Sequence, residues 1–200
     1  MSKLSSKMKL ALAGLLVLNL ALVVWVVGVA PKLEARAIAK LGRGEYTLDG
    51  TDGTAFTEAS LVGRPSAVFF GFTHCPDVCP TTLGDVSAWQ EDLGGAAALQ
   101  VFFISVDPAR DTLDYLAEYV GWVPGVVGVT GNEGEVDKAL QSFKIYAEKV
   151  PTDDGYTVDH AASVLLFDDQ GRFVETIRYQ EDHEVALEKV RRLLGVALSS

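Results

Sequence analysis

Residues 67–83 read AVFFGFTHCPDVCPTTL. The first six, Ala67 to Phe72, are short, apolar and rich in β-formers, the pattern of a strand covered on both faces. Pro80 opens a helix that runs to Leu93 and stops at Gly94 and Gly95. A buried strand, a loop and a helix in that order begin an α/β domain. Both cysteines of the chain, Cys75 and Cys79, lie in the loop. Each precedes a proline, and residues before proline avoid the helical region. That puts Cys75 in extended chain and Cys79 at the N-cap, with Pro80 as the first helical residue. A thiol there feels the positive end of the helix dipole, which favours the thiolate. Thiolate binds soft metals and also attacks disulfides, so position alone leaves both chemistries open.

Working outward, Leu99 to Val106 is a second buried strand. Asp111 to Val120 is a helix, with Leu113, Leu116, Ala117 and Val120 at helical spacing. Val126 to Thr130 is a third strand and Glu133 to Phe143 a further helix. Lys144 to Asp159, with Pro151 and Asp153-Asp154-Gly155, reads as a loop. Ser163 to Phe167 and Arg172 to Arg178 flank DDQG at 168–171 as a β-hairpin, and Glu181 to Leu194 closes the chain as an amphipathic helix. Ahead of the first strand, Tyr46 to Thr57 carries two turn signals, Asp49-Gly50 and Asp52-Gly53, and reads as a short hairpin. The expected fold is α/β: a thioredoxin-like mixed sheet covered by helices on both faces, with an extra N-terminal hairpin, over residues 44–200.

Leu10 to Ala30 is apolar throughout except for Asn19, and a membrane-spanning helix needs roughly 20 such residues. The sequence therefore predicts an N-terminal segment at 1–9, one transmembrane helix at 10–30 and a polar tether at 31–43, helical near Glu34 to Leu41. Lys3, Lys7 and Lys9 precede the apolar run and no acid does. By the positive-inside bias the N-terminus stays cytoplasmic and the domain crosses. The rival reading is a cleavable signal peptide with Gly28 and Ala30 at the cleavage site, but its apolar region is usually about 7–15 residues. No Arg-rich amphipathic presequence is visible. The expected location is a bacterial inner membrane, single-pass, with the domain in the periplasm.

Formal net charge is -10, and residues 1–32 hold four lysines and no acids. The remainder carries 13 basic and 27 acidic residues. Such a surface lacks the basic stripe that phosphates need, so nucleic acid is excluded as a partner.

An exported domain of this length can bury roughly 70% of its unfolded surface without a staple. Two cysteines in it point to chemistry more than scaffolding. Side chains four apart on a helix stand about 5–6 Å apart, whereas a disulfide wants about 3.5–4.5 Å between β-carbons. A metal between the sulfurs tolerates the wider gap, yet two residues outside regular helix can still bridge. Two thiolates with an imidazole suit copper, and zinc also accepts them. A closed structural zinc site has four protein ligands, which the two cysteines do not supply. Of the three histidines, His160 precedes a strand expected to lie beside the cysteine-bearing one, as a ligand or as a hydrogen-bonded loop imidazole. His74 adjoins Cys75 and suits packing, and His183 sits among acids as a surface residue. Asp107 ends the second buried strand, where α/β sites gather, and can brace the cysteine loop or cap a turn. Arg110 and Asp111 read as a surface pair or a helix start.

With these residues in hand, the chain resembles the Sco/SenC family of copper-binding, thioredoxin-like proteins over about Tyr46 to Leu194. GFTHCPDVCPTTL at 71–83, ISVDPARD at 104–111 and Tyr156-x-Val158-Asp159-His160 carry the resemblance. It implies copper held by Cys75, Cys79 and His160, and delivery of that copper to the copper-accepting subunit of cytochrome c oxidase at its binuclear site. It also implies a redox-active role for the Cys75 and Cys79 pair toward the acceptor's cysteines, with other copper chaperones as further partners. Gly155 departs from the family pattern by separating Asp154 from Tyr156. Thioredoxins carry a proline ahead of the late strand, and His160-Ala161-Ala162 stands there instead, which weighs against a general disulfide exchanger. The rival functions are a thiol–disulfide oxidoreductase and a redox or copper sensor.

Overall fold

The computed structural model of the chain describes residues 5–95, 99–153 and 155–195. It forms two units, Met1–Lys40 and Leu41–Ser200.

The first unit is helical from Ser6 to Ile38. Helix α1 (Ser6–Val24) runs into a π turn (Trp25–Val29) and then helix α2 (Ala30–Ile38). Pro31 stands in the first turn of α2. Proline has no N–H to bond back and its ring crowds the carbonyl four residues earlier, and a widened turn just before it absorbs that misfit. The helix therefore continues through Pro31 to Ile38, where the sequence suggests a tether. Asn19 Nδ2 donates to the Leu15 carbonyl at 2.8 Å, so the one polar interruption is satisfied within the helix. Among the described residues, Gly14–Ile38 is the one helix long and apolar enough to cross a membrane, by length and composition.

The second unit is built on a seven-stranded sheet of β1 (Leu48–Gly50), β2 (Ala55–Phe56), β3 (Ser66–Gly71), β4 (Gln100–Ser105), β5 (Val126–Thr130), β8 (Ser163–Phe167) and β9 (Phe173–Arg178). The spatial order is β2-β1-β5-β4-β3-β8-β9. Strands β3, β4 and β5 run parallel, while β8 is antiparallel to β3. The hairpin β1–β2 adds antiparallel to β5. Helices α3 (Val78–Asp92), α4 (Leu113–Val120), α5 (Glu133–Phe143) and α6 (His183–Leu194) complete the unit. All six residues of β3 are buried, as a central strand covered on both faces requires. Successive side chains on a strand alternate faces. Phe69 meets Phe103, which meets Tyr119 of α4. Phe70 meets Phe143 of α5 on the other face. The thioredoxin-like mixed sheet with a leading hairpin is thus as expected.

Two local expectations are corrected. Residues 144–159 are not a loop. Strands β6 (Ala147–Thr152) and β7 (Gly155–His160) pair as a separate antiparallel ribbon, with Ala147 opposite His160. Seven of its twelve residues are exposed and only Val158 is buried, so the apolar alternation that marks a strand is missing. Helix α3 begins at Val78 with Asp77 as N-cap, which makes Cys79 a first-turn residue and not the cap. Pro80 is tolerated there because first-turn amides have no intrahelical partner to lose.

Candidate metal centre

The carboxyl end of β3 delivers Phe72, Thr73 and the cysteine loop. Cys79 is fully buried and Cys75 is 8% exposed, and both thiols are free. Gly71 shares the face of Phe69, and a β-carbon there would fall 2.8 Å from Cys79 Sγ and from the Phe103 ring. Only glycine lets that sulfur lie against the strand. The Cys79 amide donates to Cys75 Sγ at 3.3 Å. The Cys75 sulfur thus takes one of the orphan first-turn donors of α3, and Asp77 contributes no side-chain cap. The Cys79 thiol also donates to Cys75, which pulls the Cys75 pKa down to about 6. The same bond, together with burial, pushes Cys79 up. At neutral pH the pair is a thiolate beside a thiol.

His160 ends β7, three residues before β8 begins. Its ring stands edge-on to Phe72, 5.6 Å between centroids. Nδ1 lies 3.1 Å from the Val158 carbonyl, which accepts only, so Nδ1 carries the proton. The Nε2 lone pair is left facing Cys79 Sγ at 3.9 Å. A carbonyl fixing the tautomer and aim of a ring is the usual outer partner of a metal-ligating histidine. Metal–sulfur and metal–nitrogen bonds of about 2.3 and 2.0 Å reach across that gap at an open angle. Among the described residues no three His, Cys, Asp or Glu side chains are gathered tightly enough to hold an ion as they stand. A three-ligand site therefore needs its members to close in on the ion. The donor set, two soft sulfurs and a neutral imidazole, fits copper.

The acids are distributed differently from the expectation. Asp111, fully buried, supports the cysteine loop: Thr73 donates to it from its amide at 3.1 Å and its hydroxyl at 2.6 Å. Asp107, also fully buried, does not brace that loop. It accepts from Arg110 Nε and, at 2.8 Å, from the Tyr156 hydroxyl on the histidine ribbon. Arg110 and Asp111 are therefore neither a surface pair nor a mere helix start. Only three residues separate the two aspartates, and sequence alone gives no sign of which one supports the cysteine loop. His74 is exposed; because Thr73 gives its single hydroxyl proton to Asp111, the 3.0 Å contact with His74 is an Nδ1–H donation from the ring. His183 is on the surface, paired with Asp92 at 2.8 Å. Gly71, Phe72, Thr73, Ser105 and Tyr156 also shape the site, and only their place in the three motifs marked them beforehand.

A thioredoxin-like sheet that presents two thiols and one imidazole at a strand end defines a sulfur-and-nitrogen site of the kind soft metals occupy. The SCO1/SenC family model matches residues 35–195, and the chain belongs to that family. It is 36% identical over 154 residues to Protein SCO2, mitochondrial, of Saccharomyces cerevisiae, covering 74% of this chain and 51% of that protein. The chain thus spans about half the length of the curated relatives it matches. The structure of Bradyrhizobium japonicum ScoI with copper bound is similar at 41% identity and TM-score 0.69, over 76% of this chain and 99% of that one. BsSco, a member of the Sco family of cytochrome c oxidase assembly proteins, shares the fold at 23% identity and TM-score 0.60, over 79% of this chain and 96% of that one.

Proposed function

We propose that this chain is a membrane-anchored copper chaperone, holding copper through Cys75, Cys79 and His160. It passes the metal to the binuclear copper site of cytochrome c oxidase during assembly. The observation that carries the reading is the His160 ring, with Nδ1–H on the Val158 carbonyl and Nε2 toward Cys79. Copper-bound ScoI of Bradyrhizobium japonicum supports the choice of metal. Cys75 is already a thiolate at neutral pH, so binding must displace chiefly the Cys79 proton, and affinity rises with pH. Three protein ligands leave a coordination position open, where an acceptor's ligand enters and the metal moves by exchange. Cys75, which reaches the surface where Cys79 does not, is the sulfur that an acceptor meets first. The apolar Gly14–Ile38 helix supports a single-pass anchor. Lys3, Lys7 and Lys9 before it support a cytoplasmic N-terminus with the domain in the periplasm of a bacterium. Copper titration of the wild type and of His160→Ala tests the ligand set. Equal affinity and equal spectra would remove His160 from the site. Mixing the loaded chain with the metal-free acceptor subunit, and following loss of the sulfur-to-copper absorption, tests the delivery.

The lowered pKa of Cys75 favours a second reading, reduction of the acceptor's cysteines. The Cys75 thiolate attacks the acceptor disulfide and one acceptor thiolate leaves. Cys79 then loses its proton and attacks Cys75, which closes the Cys75–Cys79 disulfide and releases the second acceptor thiolate. Stoichiometric reduction of the acceptor without copper, unchanged by His160→Ala, is the expected result. No reduction by the metal-free dithiol would end this reading.

A further inference from the structure

The two halves of the site are joined through one polar chain. On the cysteine side, Thr73, two residues before Cys75, is held by Asp111. Asp111 also accepts from the buried Ser105 hydroxyl at 2.6 Å, and that hydroxyl accepts from the Asp107 amide at 3.0 Å. The Asp107 carboxylate then accepts from Arg110 Nε and from the Tyr156 hydroxyl. Arg110 Nη1 donates to the Tyr156 carbonyl at 3.0 Å, and its guanidinium carbon lies 3.9 Å from the centre of the Tyr156 ring. On its other side it is 5.7 Å from the Phe72 ring, against which His160 packs. Tyr156 is four residues before His160 on the same strand. The ribbon itself is hydrogen-bonded to no strand of the main sheet. Its attachment therefore falls on Val158, buried below it, on the half-buried Ala147, on an exposed Lys149–Glu133 pair at 3.2 Å, and on this clamp.

We infer that Arg110 is a positioning residue for His160: with Asp107 and Tyr156 it fixes the β6–β7 ribbon so that the imidazole faces the sulfurs. Its planar fork binds a carboxylate and a carbonyl at once while stacking on a ring, a combination lysine cannot reproduce. Arg110 touches neither sulfur nor imidazole directly, so its effect passes through the ribbon. In its copper part the inference rests on the function proposed above.

The test uses the full chain in detergent, reduced and metal-free, as wild type, Arg110→Met, Arg110→Lys and Tyr156→Phe. Amide hydrogen exchange is the first readout. In Arg110→Met the ribbon amides at 147–150, 152 and 156–160 exchange roughly tenfold faster, as losing a charge-assisted bond implies, while those of β3 do not change. Arg110→Lys recovers part of the protection, and Tyr156→Phe shows the smallest increase. Copper titration follows. Arg110→Met binds about tenfold more weakly, keeps its sulfur-to-copper absorption, shows weakened nitrogen coupling in its EPR spectrum, and adds nothing to His160→Ala in the double variant. Unchanged ribbon exchange overturns the proposal, as does acceleration shared equally with β3, or full additivity with His160→Ala. Should Arg110→Met fail to fold, Tyr156→Phe decides by the same measures. A wild type that bound no copper would remove the metal reading, and the exchange pattern alone would then decide the clamp.

Discussion

Cys79 is fully buried, with its sulfur against Gly71 and Phe103, in the first turn of a helix rooted on the central strands. His160 is only half-buried and ends a two-stranded ribbon in which Val158 alone is buried. The sulfur half is thus part of the folding core, whereas the nitrogen half is an appendage aimed by polar contacts. On the proposed ligand set, damage to the first should cost fold and metal together, and damage to the second metal alone.

The sharpest way to break this contrast lies on the cysteine side. Asp111→Ala strands three donors, the part-buried Thr73 amide and hydroxyl and the buried Ser105 hydroxyl. At about 1–3 kcal/mol for each unsatisfied group, partly relieved by rearrangement, the loss is about 3–5 kcal/mol in urea unfolding, with copper binding degraded as well. A loss below 1 kcal/mol would mean that the loop stands without it. His160→Ala comes next and acts on the other half. Unfolding stays within about 0.5 kcal/mol of wild type, while copper affinity falls about 100-fold, roughly 2.7 kcal/mol. A matching fall in stability would erase the distinction between the halves.

A smaller effect follows pH. The Cys79 thiol holds the folded Cys75 pKa at about 6 against an ordinary 9.0. A lowered folded pKa stabilises the native state fully above the unfolded value, and the gain disappears as pH falls through the folded one. Urea melts of the metal-free wild type and Cys75→Ser should diverge as pH rises from 6 to 9 and run parallel below 6. Alkylation of Cys75 should show its inflection near 6; one above 8 would show that the sulfurs do not share a proton. Least affected is His183→Ala, which removes an exposed pair with Asp92. It should change stability by less than about 0.5 kcal/mol and leave copper binding untouched.

The contrast also explains what could be read in advance. The strands β3, β5 and β8 and the helix α5 were legible because their burial shows in composition: Val126–Thr130, Glu133–Phe143 and Ser163–Phe167 fall where the pattern puts them. The ribbon was not, because strands with both faces near solvent need no alternation and Pro151 within one of them reads as a breaker. The α3 start was missed because the pre-proline rule at Cys79 is a preference that a cap supplied by a sulfur can override. Cys75, Cys79 and His160 stood out as chemistry-bearing types in short motifs. The role of Tyr156 did not, since it meets Asp107 and Arg110 only across the fold from β7, and no local spacing encodes that meeting.

The hydrogen bond from His160 Nδ1 to its own strand's carbonyl has one more consequence. The ring already holds the tautomer that a soft ion requires, so on the imidazole side the proposed binding asks for no tautomer change and no ring flip, and the proton to be given up is the one on Cys79.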